Sequence, residues 1–150
     1  MALRLLQFLA LVLTALTLVP SGAHFFELPN KIDLPQEAYF IVQKIYRGWQ
    51  LFGLVLSGAL IANLTHAVVL RRQGKAFSSA AAAFLCVAAS LVIFFVWTYP
   101  ANVATENWSK VPSNWIDLRR QWEYSHAVNA VLSFAALCCA TLSVLMANND

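Results

Sequence analysis

The sequence predicts an all-α fold: a four-helix transmembrane bundle with extended, partly helical extracytoplasmic loops. Three observations predict it. Sixty per cent of the 150 residues are hydrophobic and only 11% are charged, against roughly 45–50% and about 25% in a soluble domain. A soluble globule this small has too much surface for its volume to hide that much apolar area. Four stretches, 5–26, 50–70, 76–105 and 124–149, carry no Asp, Glu, Lys or Arg. Each is at least as long as the roughly 20 residues that cross about 30 Å of hydrocarbon. The stretches are continuously apolar and Ala/Leu-rich, whereas a membrane barrel alternates in segments of about 10 residues. Composition therefore argues against a soluble enzyme, a nucleic-acid binder and a disordered regulator. A net charge of +3 is too weak to imply a nucleic-acid partner.

One integral membrane domain, 1–150, is expected, with spans near 4–26, 49–70, 77–99 and 124–147. The first span has a competing reading. Arg4, an apolar run and Ser21-Gly22-Ala23 outline a signal peptide with a small-residue cleavage site. Against cleavage, the apolar character runs on through Phe25 and Phe26, so the segment meets the length needed to span. Pro20 is expected to kink it, because it removes a backbone hydrogen bond.

Orientation follows from Lys/Arg placement. The side shared by the termini and loop two holds Arg4, Arg71, Arg72 and Lys75 against Asp150 alone. The other side balances six basic residues against six acidic ones. The expectation is a cell (inner) membrane protein with both termini cytoplasmic and two long loops outside. All five Trp and all four Tyr fall between Tyr39 and Tyr124, in segments at the outer end. An interfacial belt suits Trp49 and Trp97. An aromatic-walled pocket suits Trp115 and Trp122.

In loop one, Asp33, Pro35 and Gln36 outline a capping box. Tyr39, Val42, Tyr46 and Trp49 then recur at helical spacing. The expected element is a helix that starts near Pro35 and runs into the membrane, loosened by Gly48. In loop three, Pro100 is expected to end or kink the third span. Ser113 or Asn114 can cap a helix continuous with the fourth span. Trp115, Arg119, Trp122, His126 and Asn129 share one face of it. That stripe is expected to face the bundle interior, since polar side chains in hydrocarbon are costly.

His24 with Glu27, and Glu123 with His126, are each three residues apart and fall at the same depth. Such pairs on two helices resemble the ligands of carboxylate-bridged metal sites in bundles. The first runs His-x-x-Glu rather than Glu-x-x-His, and two further Glu are missing. A mononuclear metal ion held by His24, Glu27, Glu123 and His126 is the stronger form; iron, manganese or zinc would suit it. Three plainer readings stand beside it. His24 and Glu27 can be interfacial polar residues, Glu123 can pair with Arg119 or Arg120, and His126 can bond a loop carbonyl. His66 lies a membrane thickness away and reads as an interfacial or helix-packing residue. Cys86, Cys138 and Cys139 lie inside spans and indicate no disulfide framework. Asn107-Trp108-Ser109 matches a glycosylation sequon. No internal repeat points to a transporter.

Tyr99-Pro100-Ala101-Asn102, Asn107-Trp108, Asn114-Trp115 and the run Arg119 to His126 together resemble a domain-of-unknown-function family. Its members are small four-helix membrane proteins, among them anthrone-oxygenase-like proteins of fungi. They carry an Arg-x-x-Trp-x-x-x-His-like signature before the last helix. The resemblance implies Arg119, Trp122 and His126 as signature positions. In the oxygenases, dioxygen oxidises a phenolic anthrone to a quinone.

Residues and resemblance together give the expectation of a membrane oxidoreductase or oxygenase-like protein. Its partners would be the lipid bilayer and a lipophilic phenol- or quinone-like small molecule at the outer face. Trp115 and Trp122 would stack on it and Asn129 would contact it. His126 would take the phenolic proton, and Arg119 would steady the oxyanion. The alternative is a non-enzymatic accessory subunit or assembly factor whose polar stripe is a docking surface or ion-pair cluster.

Overall fold

The apolar runs do become four long helices, and no strand forms among the described residues. In the computed structural model, residues 1–147 are described. Asp150, counted in the charge balance, and the tail of the last charge-free stretch lie outside them. The elements are α1 (Ala2–Lys31), α2 (Gln36–Gln43), α3 (Phe52–Val69), α4 (Gly74–Ile93), α5 (Tyr99–Ala104) and α6 (Trp115–Met146). Among the described residues, four helical stretches are long and apolar enough to cross a membrane: Ala2–Lys31, Trp49–Val69, Gly74–Ala104 and Trp115–Met146. The chain is a multi-pass membrane protein of all-α architecture. Large apolar side chains such as Leu5, Leu54, Leu85 and Phe134 point outward, as lipid-facing positions should when the solvent is hydrocarbon.

The helices pack in a ring. α1 contacts α3, α3 contacts α4, α4 contacts α6, and α6 closes back onto α1. Each connection returns the chain along the bundle, so successive spans are antiparallel, and α1 and α6 are antiparallel too. Loops 32–48 and 105–114 lie at one end, called here the aromatic end. The connection around Arg71 and Arg72 lies at the other, the basic end. Inside the ring the contacts are small: Ala59, Val87 and Ala136 form one cluster, and Ala67, Leu70, Ala76 and Ala80 another. Small residues let membrane helices approach closely.

Several local expectations are corrected. α1 continues past Phe26 to Lys31, through both Pro20 and Pro29. Loop one is not one helix running into the membrane. α2 ends at Gln43, a 3-10 turn covers Lys44–Tyr46, and Gly48 at φ +93° reverses the backbone before a second 3-10 turn. Glycine alone takes that conformation without a Cβ penalty. Asp33 does not cap: Pro35 occupies the N-cap position without a side-chain hydrogen bond. Asn114 is the N-cap of α6, also without a side-chain bond. The third span widens into a π turn at Phe94–Thr98 and then continues as α5. Pro100 is the cause. Its ring would collide with the Val96 carbonyl in a regular helix, and the wider turn relieves the clash. α6 runs unbroken from loop three into the fourth span, as its sequence pattern implies.

Candidate functional site at the aromatic end

α1 brings His24, Glu27 and Lys31 to the aromatic end, and α6 brings Glu123 and His126 to meet them. Lys31 stands between the two carboxylates. Its Nζ lies 3.1 Å from Glu123 Oε1 and 3.5 Å from Glu27 Oε2. It donates to the Tyr46 hydroxyl at 2.7 Å, and Tyr46 donates in turn to Glu27 Oε2. Tyr39 donates to Glu123 Oε1 at 2.8 Å. Glu123 is fully buried and Lys31 is 3% exposed, so this ion pair sits away from solvent. Loop one therefore reaches over the bundle with two phenols. Burial pushes the Tyr39 hydroxyl well above the ordinary phenol range, and the adjoining Glu123 carboxylate pushes it further. Burial and the hydrogen bond to Glu27 do the same to Tyr46. Both remain proton donors at neutral pH.

Beside this cluster lies a ring stack. The His24 and His126 centroids are 4.2 Å apart, and Trp122 packs edge-on to both, at 4.8 and 4.3 Å. Tyr46 is 4.4 Å from His24. His24 Nδ1 has no hydrogen-bond partner; Glu27 Oε2 is 3.9 Å away. Lys31 Nζ lies over the Tyr46 and Trp122 rings at 4.4 and 4.9 Å, within range of cation–π attraction.

The two Glu/His pairs expected at one depth do meet there. What the carboxylates share is the Lys31 ammonium, and the two imidazole rings pack against each other, tilted by 39°. Among the described residues, no group of three or more His, Cys, Asp or Glu is placed to hold a metal ion. Glu123 pairs with Lys31 rather than with Arg119 or Arg120.

The remaining stripe residues divide. Arg119 Nη1 donates to the Leu34 carbonyl at 2.8 Å, and its guanidinium lies over Trp115 and Tyr39 at 4.8 and 5.4 Å. Seven residues separate it from His126, about 10 Å along a helix, so it is not the cation beside the histidines. Trp122 Nε1 donates to Asn102 Oδ1 at 2.8 Å. Trp115 and Trp122 do not wall an open pocket. They pack with Tyr39, Phe40, Trp108 and Leu118 into an aromatic core. Trp97 instead is half exposed on the outer surface, as a belt residue would be. Asn129 is buried one turn further in, with Oδ1 unpartnered.

Trp108 enters that core from an unusual backbone. Glu106, Asn107 and Trp108 have φ values of 50°, 54° and 62°. A left-handed turn costs L-residues roughly 1–2 kcal/mol each. Here Thr105 holds it: its carbonyl accepts from Ser109 and Lys110, and its hydroxyl accepts from the Trp108 N–H.

Lys31, Tyr39, Tyr46 and Asn102 are absent from the site residues expected from the sequence; Tyr39 and Tyr46 enter there only as helix positions and Asn102 only as part of the family resemblance. For Lys31 the signal existed: it follows Glu27 by four and His24 by seven, one face of a helix. It becomes visible only if α1 is carried through Pro29. An open groove of about 320 Å³ lies outside the bundle at this end, lined by Trp97, Arg120, Gln121, Tyr124, Ser125 and Val128.

Comparison of the chain with protein families, with curated proteins and with solved structures finds no match in any of the three.

Proposed function

We propose that this membrane protein is a small oxidoreductase acting on a lipophilic phenol- or quinone-like molecule at the aromatic end. That end faces outward, with both termini in the cytoplasm. The observation that carries the reading is the His24–His126 pair, 4.2 Å apart, beside the Lys31 cation. Buried ionisable groups inside a membrane bundle mark functional sites by default. An unpartnered imidazole nitrogen can accept a phenolic proton. Lys31, rather than Arg119, is the cation near enough to steady the phenolate that results. The groove at Trp97, Tyr124 and Val128 gives a planar apolar ring a surface to settle on from the lipid. Ser125 in its wall precedes His126, one step around the same helix. Dioxygen is the proposed electron acceptor, following the resemblance of segment 99–126 to the family that includes anthrone-oxygenase-like proteins.

The test uses the full chain in lipid nanodiscs, titrated with 1,8-dihydroxyanthrone. Tryptophan fluorescence and oxygen uptake are followed together. The expected result is saturable quenching and uptake that falls by about 10²-fold or more in His126→Gln. Wild-type protein without quenching or uptake would overturn the reading.

One observation favours a second reading, a non-enzymatic accessory subunit. Arg119, Trp115, Trp122 and both carboxylates are all engaged with partners in the same chain. Recovery of a stoichiometric membrane partner, with no substrate turnover, would select it.

A further inference from the structure

The buried face of α1 is polar along its whole length. Gln7, Thr14, Thr17, Ser21, His24 and Lys31 are each at most 6% exposed. They recur every three, four or seven residues, with Ala10 completing the face. Gln7 to Lys31 covers about 36 Å at 1.5 Å per residue, more than the roughly 30 Å of a hydrocarbon core. The partner helices answer it. From the His24–His126 contact, antiparallel α6 places Asn129 at the level of Ser21, Ser133 at Thr17 and Ser143 near Gln7. α3 contributes Asn63, whose Nδ2 donates to Thr14 Oγ1 at 2.8 Å, and His66 one turn further toward the basic end.

The hydroxyls on this face donate to their own helix. Thr14 bonds the Ala10 carbonyl, Thr17 that of Thr14, and Ser21 that of Thr17. Each hydroxyl oxygen keeps acceptor capacity toward the bundle axis. Four side chains along the seam carry atoms without a partner: His24 Nδ1, Asn129 Oδ1, Asn63 Oδ1 and both ring nitrogens of His66. All four residues are at least nine-tenths buried. In hydrocarbon each unsatisfied polar group costs several kcal/mol. A buried water typically makes about three hydrogen bonds to such groups. The faces they occupy are otherwise small, with Ala10, Ser21, Ala130 and Ser133.

The geometry points to a hydrated polar seam along the bundle axis that conducts protons between the aromatic end and the basic end. His66 is its relay nearest the basic end. The imidazole takes a proton at one ring nitrogen and releases one from the other, which leaves the opposite tautomer, and a flip of the ring restores the first before the next transfer. Asn63 and Thr14 hold the adjoining water. His66 is one helical turn from the connection carrying Arg71 and Arg72, since its carbonyl accepts from the Leu70 N–H. This path is independent of any substrate at the aromatic end.

The test is proton flux in liposomes of phosphatidylcholine that contain the full chain and trap a pH-sensitive dye. A potassium diffusion potential, set with valinomycin, drives the flux. Wild-type liposomes should acidify well above protein-free ones. His66→Leu and Asn63→Leu should each slow the flux about tenfold, equal to about 1.4 kcal/mol on the barrier. Flux at the protein-free level, or flux unchanged in both variants, would overturn the proposal. Should the variants fail to fold, solid-state NMR of 15N-histidine wild type decides. Water contact at the His66 ring nitrogens upholds the seam, and a dry ring removes it.

Discussion

Lys31 is the residue on which the aromatic end converges. It holds Glu123, Glu27 and the Tyr46 hydroxyl together from inside the bundle. Breaking a buried pair leaves an uncompensated charge and costs about 3–5 kcal/mol. Lys31→Met should therefore lower thermal stability strongly, and Lys31→Met with Glu123→Gln should recover much of the loss. By contrast Lys110 and Glu106 are paired on the surface, each more than 60% exposed. Their loss should change stability by less than about 1 kcal/mol. Differential scanning fluorimetry of the three variants distinguishes the cases. The two phenols supply a pH dependence. Tyr39 and Tyr46 bind their protons more tightly in the folded chain than in the unfolded one. Their contribution is thus complete below the ordinary phenol value of about 10 and is lost as pH climbs through the raised folded values. Melting temperature should not respond to these two groups below pH of about 9 and should fall above pH of about 10. Tyrosinate absorbance that appears before unfolding in Tyr99→Phe/Tyr124→Phe protein would contradict the assignment.

At the scale of elements, the two loops are held by different devices. Loop one turns at Gly48, where an added Cβ would meet nothing within 4 Å but φ is +93°. Gly48→Val should therefore cost about 1–2 kcal/mol, from backbone strain alone. Loop three turns through Glu106–Trp108, and the buried Trp108 ring is what that strained turn delivers to the core. Trp108→Ala should destabilise by about 3–5 kcal/mol, visible as a lower denaturation midpoint. Neither loop was fully legible in the sequence. Helical periodicity from Tyr39 to Trp49 implied one helix, because a pattern of apolar residues does not report a positive φ at Gly48. Asp33 offered a good cap, but proline set the start of α2. The four spans, in contrast, were legible because hydrocarbon thickness dictates their length. The inward stripe on α6 was legible because polar groups in lipid have one tolerable direction. Which cation met Glu123 was not legible, since Lys31 lay beyond a proline in a segment read as loop.

For the whole molecule, the ring of four antiparallel helices separates two chemistries by a membrane thickness. Basic residues gather at one end and aromatic, balanced charge at the other. The orientation proposed above predicts the reactivity of single cysteines introduced into a protein lacking Cys86, Cys138 and Cys139. Lys110→Cys should react with an impermeant maleimide in intact cells. Arg72→Cys should react only after permeabilisation. The reverse pattern would invert the topology and place the histidine pair on the cytoplasmic side.

The Lys31–Glu123 pair also imposes an order on biogenesis. About ninety residues lie between the two partners. At synthesis rates of about 5–20 residues per second, the first helix waits many seconds for the last. Until α6 arrives, Lys31 has Glu27 on its own helix but not its buried counter-charge. A nascent chain halted after the third span therefore carries an exposed mark of incompleteness at the membrane surface. Arrival of the fourth helix erases it.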